Sequence, residues 1–183
     1  VLADMQLTHG TDAEAQLPYW EVRDPGVSIR LVQRLPDQTR GYFEARGFDA
    51  AAVERIARGC VFQTVFRNLA PDGPAGTIEY DLREWVVEAG GRKLGLKTRE
   101  DWEHEWTRLQ VPGPAQTAFK WSLLPTRQTY RPGDYNWGMS MIELSPGTRF
   151  HLTVTWRQDD ARRSARIRDI ACAADERRDP EPQ

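Results

Sequence analysis

Between Arg149 and Arg157 apolar and polar side chains alternate. Phe150, Leu152, Val154 and Trp156 share one face, and Arg149, His151, Thr153 and Thr155 the other. A period of two fits an extended strand with one buried and one wetted face. It constrains the fold more than any other feature, because it recurs along the chain. Val27, Ile29 and Leu31 alternate with Ser28 and Arg30, and Val61–Phe66 and Thr77–Asp81 read as strands. Trp85–Ala89 and Arg92–Leu96 flank Gly90-Gly91, the signature of a hairpin with a primed turn. Thr117–Leu124, Gln128–Tyr130, Trp137–Leu144 and Ala165–Ala171 continue the series. Asp24-Pro25-Gly26, Pro132-Gly133-Asp134 and Ser145-Pro146-Gly147 separate the runs. Short alternating strands divided by such turns predict a mainly β fold, a β-sandwich.

Two segments break the period. Pro36-Asp37-Gln38 opens a helix ended by Gly47, and Asp49 is placed to cap a second, with Val53, Ile56 and Ala57 on one face. They form an αα insertion over about 37–58. Thr98 caps another helix over about 98–108, in which Trp102 and Trp106 stand four apart and share a face. The first residues are polar and aperiodic, so 1–18 reads as a flexible arm, 19–172 as a single sandwich domain, and 173–183 as a disordered tail.

A formal net charge of −2, with both signs mixed along the chain, argues against a nucleic-acid partner, which needs a basic face. No apolar run approaches the roughly 20 residues that cross a bilayer. The two cysteines, Cys60 and Cys172, lack C-x-x-C spacing, which removes zinc ribbons and thioredoxin-type redox sites. They form either a disulfide or two buried thiols. The tryptophan-rich β pattern and a start at Val1, by processing or by trimming, favour an exported protein and with it the disulfide. The expected location is periplasmic or secreted.

Thr64-Val65-Phe66-Arg67-Asn68, Trp85-Val86-Val87-Glu88-Ala89-Gly90-Gly91, Tyr130-Arg131-Pro132-Gly133-Asp134 and Ser145-Pro146-Gly147-Thr148-Arg149-Phe150 together resemble secreted bacterial immunoglobulin-like domains. In those a strand ends in Asn, a hairpin follows, and a Pro-Gly turn leads into the closing strands. The likeness covers roughly residues 60–171 and implies an immunoglobulin-like β-sandwich serving as a binding or accessory module.

Catalytic motifs are absent from the sequence. In Gly90-Gly91-Arg92-Lys93-Leu94-Gly95-Leu96 the residue after the last glycine is Leu96, where a P-loop needs lysine. Gly138-Met139-Ser140-Met141-Ile142 lacks the second glycine of a nucleophile elbow. Glu79 and Asp81 share one strand face rather than opposing across a cleft, as glycoside hydrolysis requires. No H-E-x-x-H motif accompanies His9, His104 or His151. The chain is therefore expected not to be an enzyme, and to engage another extracytoplasmic protein. Trp102, Trp106, Arg162 and Arg163 are the candidate partner surface. A second reading is copper binding or delivery: Met139 and Met141 alternate onto one face, and two thioethers with the imidazole of His151 suit Cu(I), although Trp137 shares that face, as expected for a sandwich interior whose gaps methionine fills. A third is a carbohydrate-binding module, because seven tryptophans are enough to build an aromatic platform.

Overall fold

The computed structural model of the chain describes residues 5–73 and 76–177. Strand exceeds helix, 43% against 23%, in two antiparallel sheets. The order is β1 (Gln6–Thr11), β2 (Pro18–Asp24), β3 (Val27–Gln33), α1 (Pro36–Glu44), α2 (Ala50–Ala57) and β4 (Cys60–Asn68). It continues with β5 (Ile78–Asp81), β6 (Val86–Ala89), β7 (Arg92–Leu94), α3 (Arg99–Arg108) and α4 (Gly113–Ser122). Four strands close it: β8 (Arg127–Tyr130), β9 (Tyr135–Ile142), β10 (Arg149–Gln158) and β11 (Ala161–Ala171). The first sheet runs β1-β2-β3-β4-β9, a four-strand meander joined by β9. The second runs β7-β6-β10-β5-β8, with β11 along β10.

Period-two patterning does what it predicts. Ile29, Leu31, Phe62 and Phe66 of the first sheet share a core with Leu152, Val154 and Trp156 of β10. Phe62 meets Phe150 edge-on at 5.8 Å between ring centres. Trp85 is buried there without a polar penalty, because its Nε1 donates to the Thr155 carbonyl at 2.9 Å. Gly90 and Gly91 both take positive φ, 54° and 75°, which is the backbone of a primed turn between β6 and β7.

The helices form where their caps predict: Ala52 N donates to Asp49 Oδ1 at 2.8 Å, and Thr98 accepts from Asp101 N. They build a third layer on the outer face of the first sheet. Phe43, Val53, Ile56, Trp106 and Phe119 close over Val61, Met139 and Met141 in a second core. The first sheet is thus the middle of three layers.

Four expectations are corrected. The predicted strand at Thr117–Leu124 is instead occupied by α4 through Ser122. Pro114 sits in its first turn, and Ala115, Phe119 and Ser122 are buried at helical spacing. Gln6–Thr11, expected in a flexible arm, is a strand paired with β2 from Gln6↔Arg23 to Thr11↔Pro18. All six of its residues are exposed, so no apolar alternation marked it. In the expected tail, the Asp175 side chain is 7% exposed and accepts from Arg40 Nη2 at 2.7 Å, so residues 173–177 pack on the domain; residues 178–183 lie outside the described ones. Finally, the Met139–Met141 face of β9 packs beneath helices rather than between the sheets, and Trp137, expected inside, is 67% exposed.

Cys60 opens β4 and Cys172 follows β11, and the two form a disulfide across 112 residues with their Cα atoms 5.2 Å apart. It ties the first sheet to the second. No described helix is long and apolar enough to cross a membrane.

Candidate functional site

The helices cover only one end of the first sheet's outer face. Strand register fixes what the rest displays, since directly paired residues of antiparallel strands point to the same side. One row reads Trp137, Val65, Arg30, Glu21 and Thr8 from β9 to β1. The row nearer the helices reads Met139, Gln63, Val32, Tyr19 and Gly10, and the row beyond reads Tyr135, Arg67, Ser28, Arg23 and Gln6. An open groove of about 620 Å³ lies along the first two rows. Val32 and Val65 floor it, Arg34 and Gln38 border it at α1, and Trp137 and Leu17 lie toward opposite ends.

Two exposed aromatics stand two residues apart on this face; Trp121, 73% exposed, lies on α4 away from the groove. Tyr135 is 52% exposed beside Trp137, whereas Trp85, Trp102, Trp106 and Trp156 are buried. A large ring left in water forgoes roughly 1.5–3 kcal/mol of burial, so clustered exposure marks a surface awaiting contact. Arginines lie on the rings: Arg30 is 3.6 Å from the Tyr19 ring centre and Arg67 4.5 Å from that of Tyr135.

Arg30 in the groove is paired with carboxylates, whereas the side chain of Arg34, which also lines it, donates among the described residues only to the Gln38 carbonyl. Arg30 donates through Nη2 to Asp12 Oδ2 at 2.8 Å and through Nη1 to Glu21 Oε2 at 3.0 Å. Ser28 Oγ donates to Glu21 Oε1 at 2.8 Å. The Ala15 amide, with Arg30, holds the Asp12 carboxyl below its usual range. Asp12 also accepts from Glu14 N, which closes the β1–β2 turn that ends the groove. The site's sequence signal was ambiguous. Trp137 lies on the same strand face as Met139 and Met141, and only the reach of the helices decides which of the three is covered.

The residues proposed from sequence fare differently. Met139 and Met141 lie in the core beneath the helices, 3% and 2% exposed. His151 lies on the second sheet, where its Nδ1 accepts from Asp169 N at 3.2 Å across a bulge in β11. The sandwich core separates His151 from both thioethers, so the three-ligand copper set is not assembled. Among the described residues no three His, Cys, Asp or Glu side chains gather as a metal site.

Trp102 and Trp106 are buried and stack on each other at 4.9 Å, so they offer no partner surface. Lys97 Nζ lies 4.0 Å from the Trp102 ring centre, and Lys97 and Arg55 both donate to Glu105. Burial pushes the Glu105 carboxyl up, but these two cations outweigh it and hold it below the usual range. Arg163 is spent on Asp24 at 3.1 Å, bridging the sheets, and Arg162 lies 3.7 Å from Glu84. Glu79 faces Arg157, and Asp81 accepts from Arg83 N to start a 3₁₀ turn at Leu82–Glu84.

Comparison of the chain with protein-family models, with curated proteins and with solved structures finds no match in any of the three.

Proposed function

We propose that the chain is an extracytoplasmic binding module that holds its ligand on the uncovered part of the first sheet and does not transform it. The observation that carries this reading is the exposure of Trp137 and Tyr135 on a face whose other end is roofed by four helices and their core. Tryptophan, tyrosine and arginine are the residues that dominate binding energy where they cluster. Arg30 is paired with both Asp12 and Glu21 across the groove, which suits holding a ligand better than moving a proton. The disulfide supports an oxidising compartment. This reading keeps the binding role expected from sequence, and moves the surface from Trp102, Trp106, Arg162 and Arg163 to the groove.

A photo-crosslinking residue at Tyr135, with the same residue at Arg168 on the far sheet as control, tests it. Each variant is exposed to extracytoplasmic material from the native host. A discrete adduct from position 135 alone is expected. Equal labelling from both positions, or none from either, overturns the assignment of the surface. Two free thiols in the natively isolated protein would remove the extracytoplasmic part of the reading.

A further inference from the structure

We infer that the groove takes an uncharged polysaccharide chain laid across the strands of the first sheet. This rests on the reading of that face as the binding surface, and adds the class of ligand. The first argument is direction. The groove crosses from Trp137 on β9 over β4 and β3 to the β1–β2 turn, three inter-strand spacings or about 14 Å. An extended peptide draws its affinity from backbone hydrogen bonds at a sheet edge. The groove instead runs over the face, whose backbone groups are already spent in the ladder. A sugar chain needs no edge, because it is held by stacking and by side-chain hydrogen bonds.

The second argument is chemistry. A sugar ring offers an apolar face of C–H groups, and an exposed indole is its natural counterpart. Around the ring stand hydroxyls that both donate and accept, which an amide side chain answers with both functions. Gln63 points to the outer face one row from Trp137, and no hydrogen bond engages its side chain among the described residues. Gln38 accepts from Leu35 N through Oε1 at 3.0 Å, which leaves its Nε2 hydrogens for a ligand. The third argument is charge. Arg30 is matched by Asp12 and Glu21, and the lining sets two carboxylates, Asp12 and Glu14, against two guanidiniums, Arg30 and Arg34, so the groove carries no net positive charge to favour an anionic polymer.

Titration of the full chain with neutral cello-, manno-, chito- and malto-oligosaccharides of increasing length, followed by tryptophan fluorescence and heat, tests the inference. At least one series is expected to bind, with affinity climbing from the disaccharide and levelling off once the groove is filled. Trp137→Ala is expected to weaken that binding roughly 10- to 100-fold, and Gln63→Ala to weaken it measurably. Trp121→Ala removes an equally exposed ring that does not line the groove, and leaves affinity unchanged. Failure of every series, or binding that ignores Trp137→Ala, overturns the inference. If the sugars fail while the crosslinker at Tyr135 captures a defined protein, the polysaccharide is wrong and the binding surface stands. If both fail, both fall.

Discussion

Tryptophan has two opposite fates in this chain, and the difference is measurable residue by residue. Trp106 is 1% exposed and packs against Phe48, Trp102 and Phe119. Trp106→Ala leaves a cavity in the helix-covered core and is expected to cost about 3–5 kcal/mol in a denaturation curve. Trp137→Ala removes a ring already in water, so its stability should change by no more than about 0.5 kcal/mol while ligand affinity falls. A large stability loss at Trp137 would show that the ring is packed. Gly138, the next residue, is constrained by backbone: a Cβ there would stand 2.5 Å from Leu124 N. Gly138→Ala is therefore expected to destabilise by roughly 1–3 kcal/mol and to loosen the junction between α4 and β9.

Among elements, the segment after β11 is pinned by the disulfide at Cys172, by the Arg177–Asp37 ion pair and by Arg40. Arg40, 5% exposed, donates to Asp175, Glu54 and Asp37, and so clamps residue 175 to α1 and α2. Arg40→Ala removes a 5% exposed guanidinium that donates to three carboxylates, Asp175, Glu54 and Asp37, and is expected to cost about 3 kcal/mol in a denaturation curve; limited proteolysis should then cut more readily between residues 173 and 177. Arg40 holds the Glu54 carboxyl below its usual value, and at Glu105 the cations outweigh burial in the same direction. The sign follows: these carboxylates contribute fully above about pH 4.5, and the contribution drains away as pH falls below that through the depressed folded values. The urea midpoint should hold steady from neutral pH to about 5 and then fall, less steeply in Glu105→Gln. A midpoint that rises on acidification contradicts this.

Elements whose sequence carries a local physical signal were legible in it. Asp49 and Thr98 announced their helices, Gly90-Gly91 its hairpin, and the alternation of Phe150 to Trp156 its strand. Elements that depend on distant neighbours were not. β1 has solvent on both faces, so patterning was silent, and only the register with β2 makes it a strand. The apolar residues of α4 serve a strand pattern nearly as well as a helical one, and the packing of Phe119 against Trp102 and Trp106 decides for the helix. The groove was hidden for a related reason. Alternation assigns Trp137 and Met141 to one face of β9, but how far the helix layer reaches along that face is a tertiary fact.

On the scale of the whole molecule, two sheets and a helix layer share one central sheet, and a single covalent link spans them. In the chain-entropy account, closing a 112-residue loop stabilises the fold by about 4–5 kcal/mol. Reduction, or Cys60→Ser with Cys172→Ser, is expected to lower the urea midpoint accordingly. An unchanged midpoint would mean that the reduced unfolded chain is already as restricted as the bridged one.

The placement of that link also dictates how the molecule answers tension. Pulled from its two ends, the chain would transmit force through the sulfur bridge, and residues 61–171 would be shielded from the stretch. Only the parts outside that loop, before Cys60 and after Cys172, would unravel, lengthening the molecule by on the order of 200 Å at about 3.4 Å per residue. The part before Cys60 supplies Leu17, Arg30 and Val32, so a tethered copy under strain would lose the groove while most of its body stayed closed. Optical-trap extension that stops at this limit in the oxidised protein, and runs past it after reduction, would record the effect.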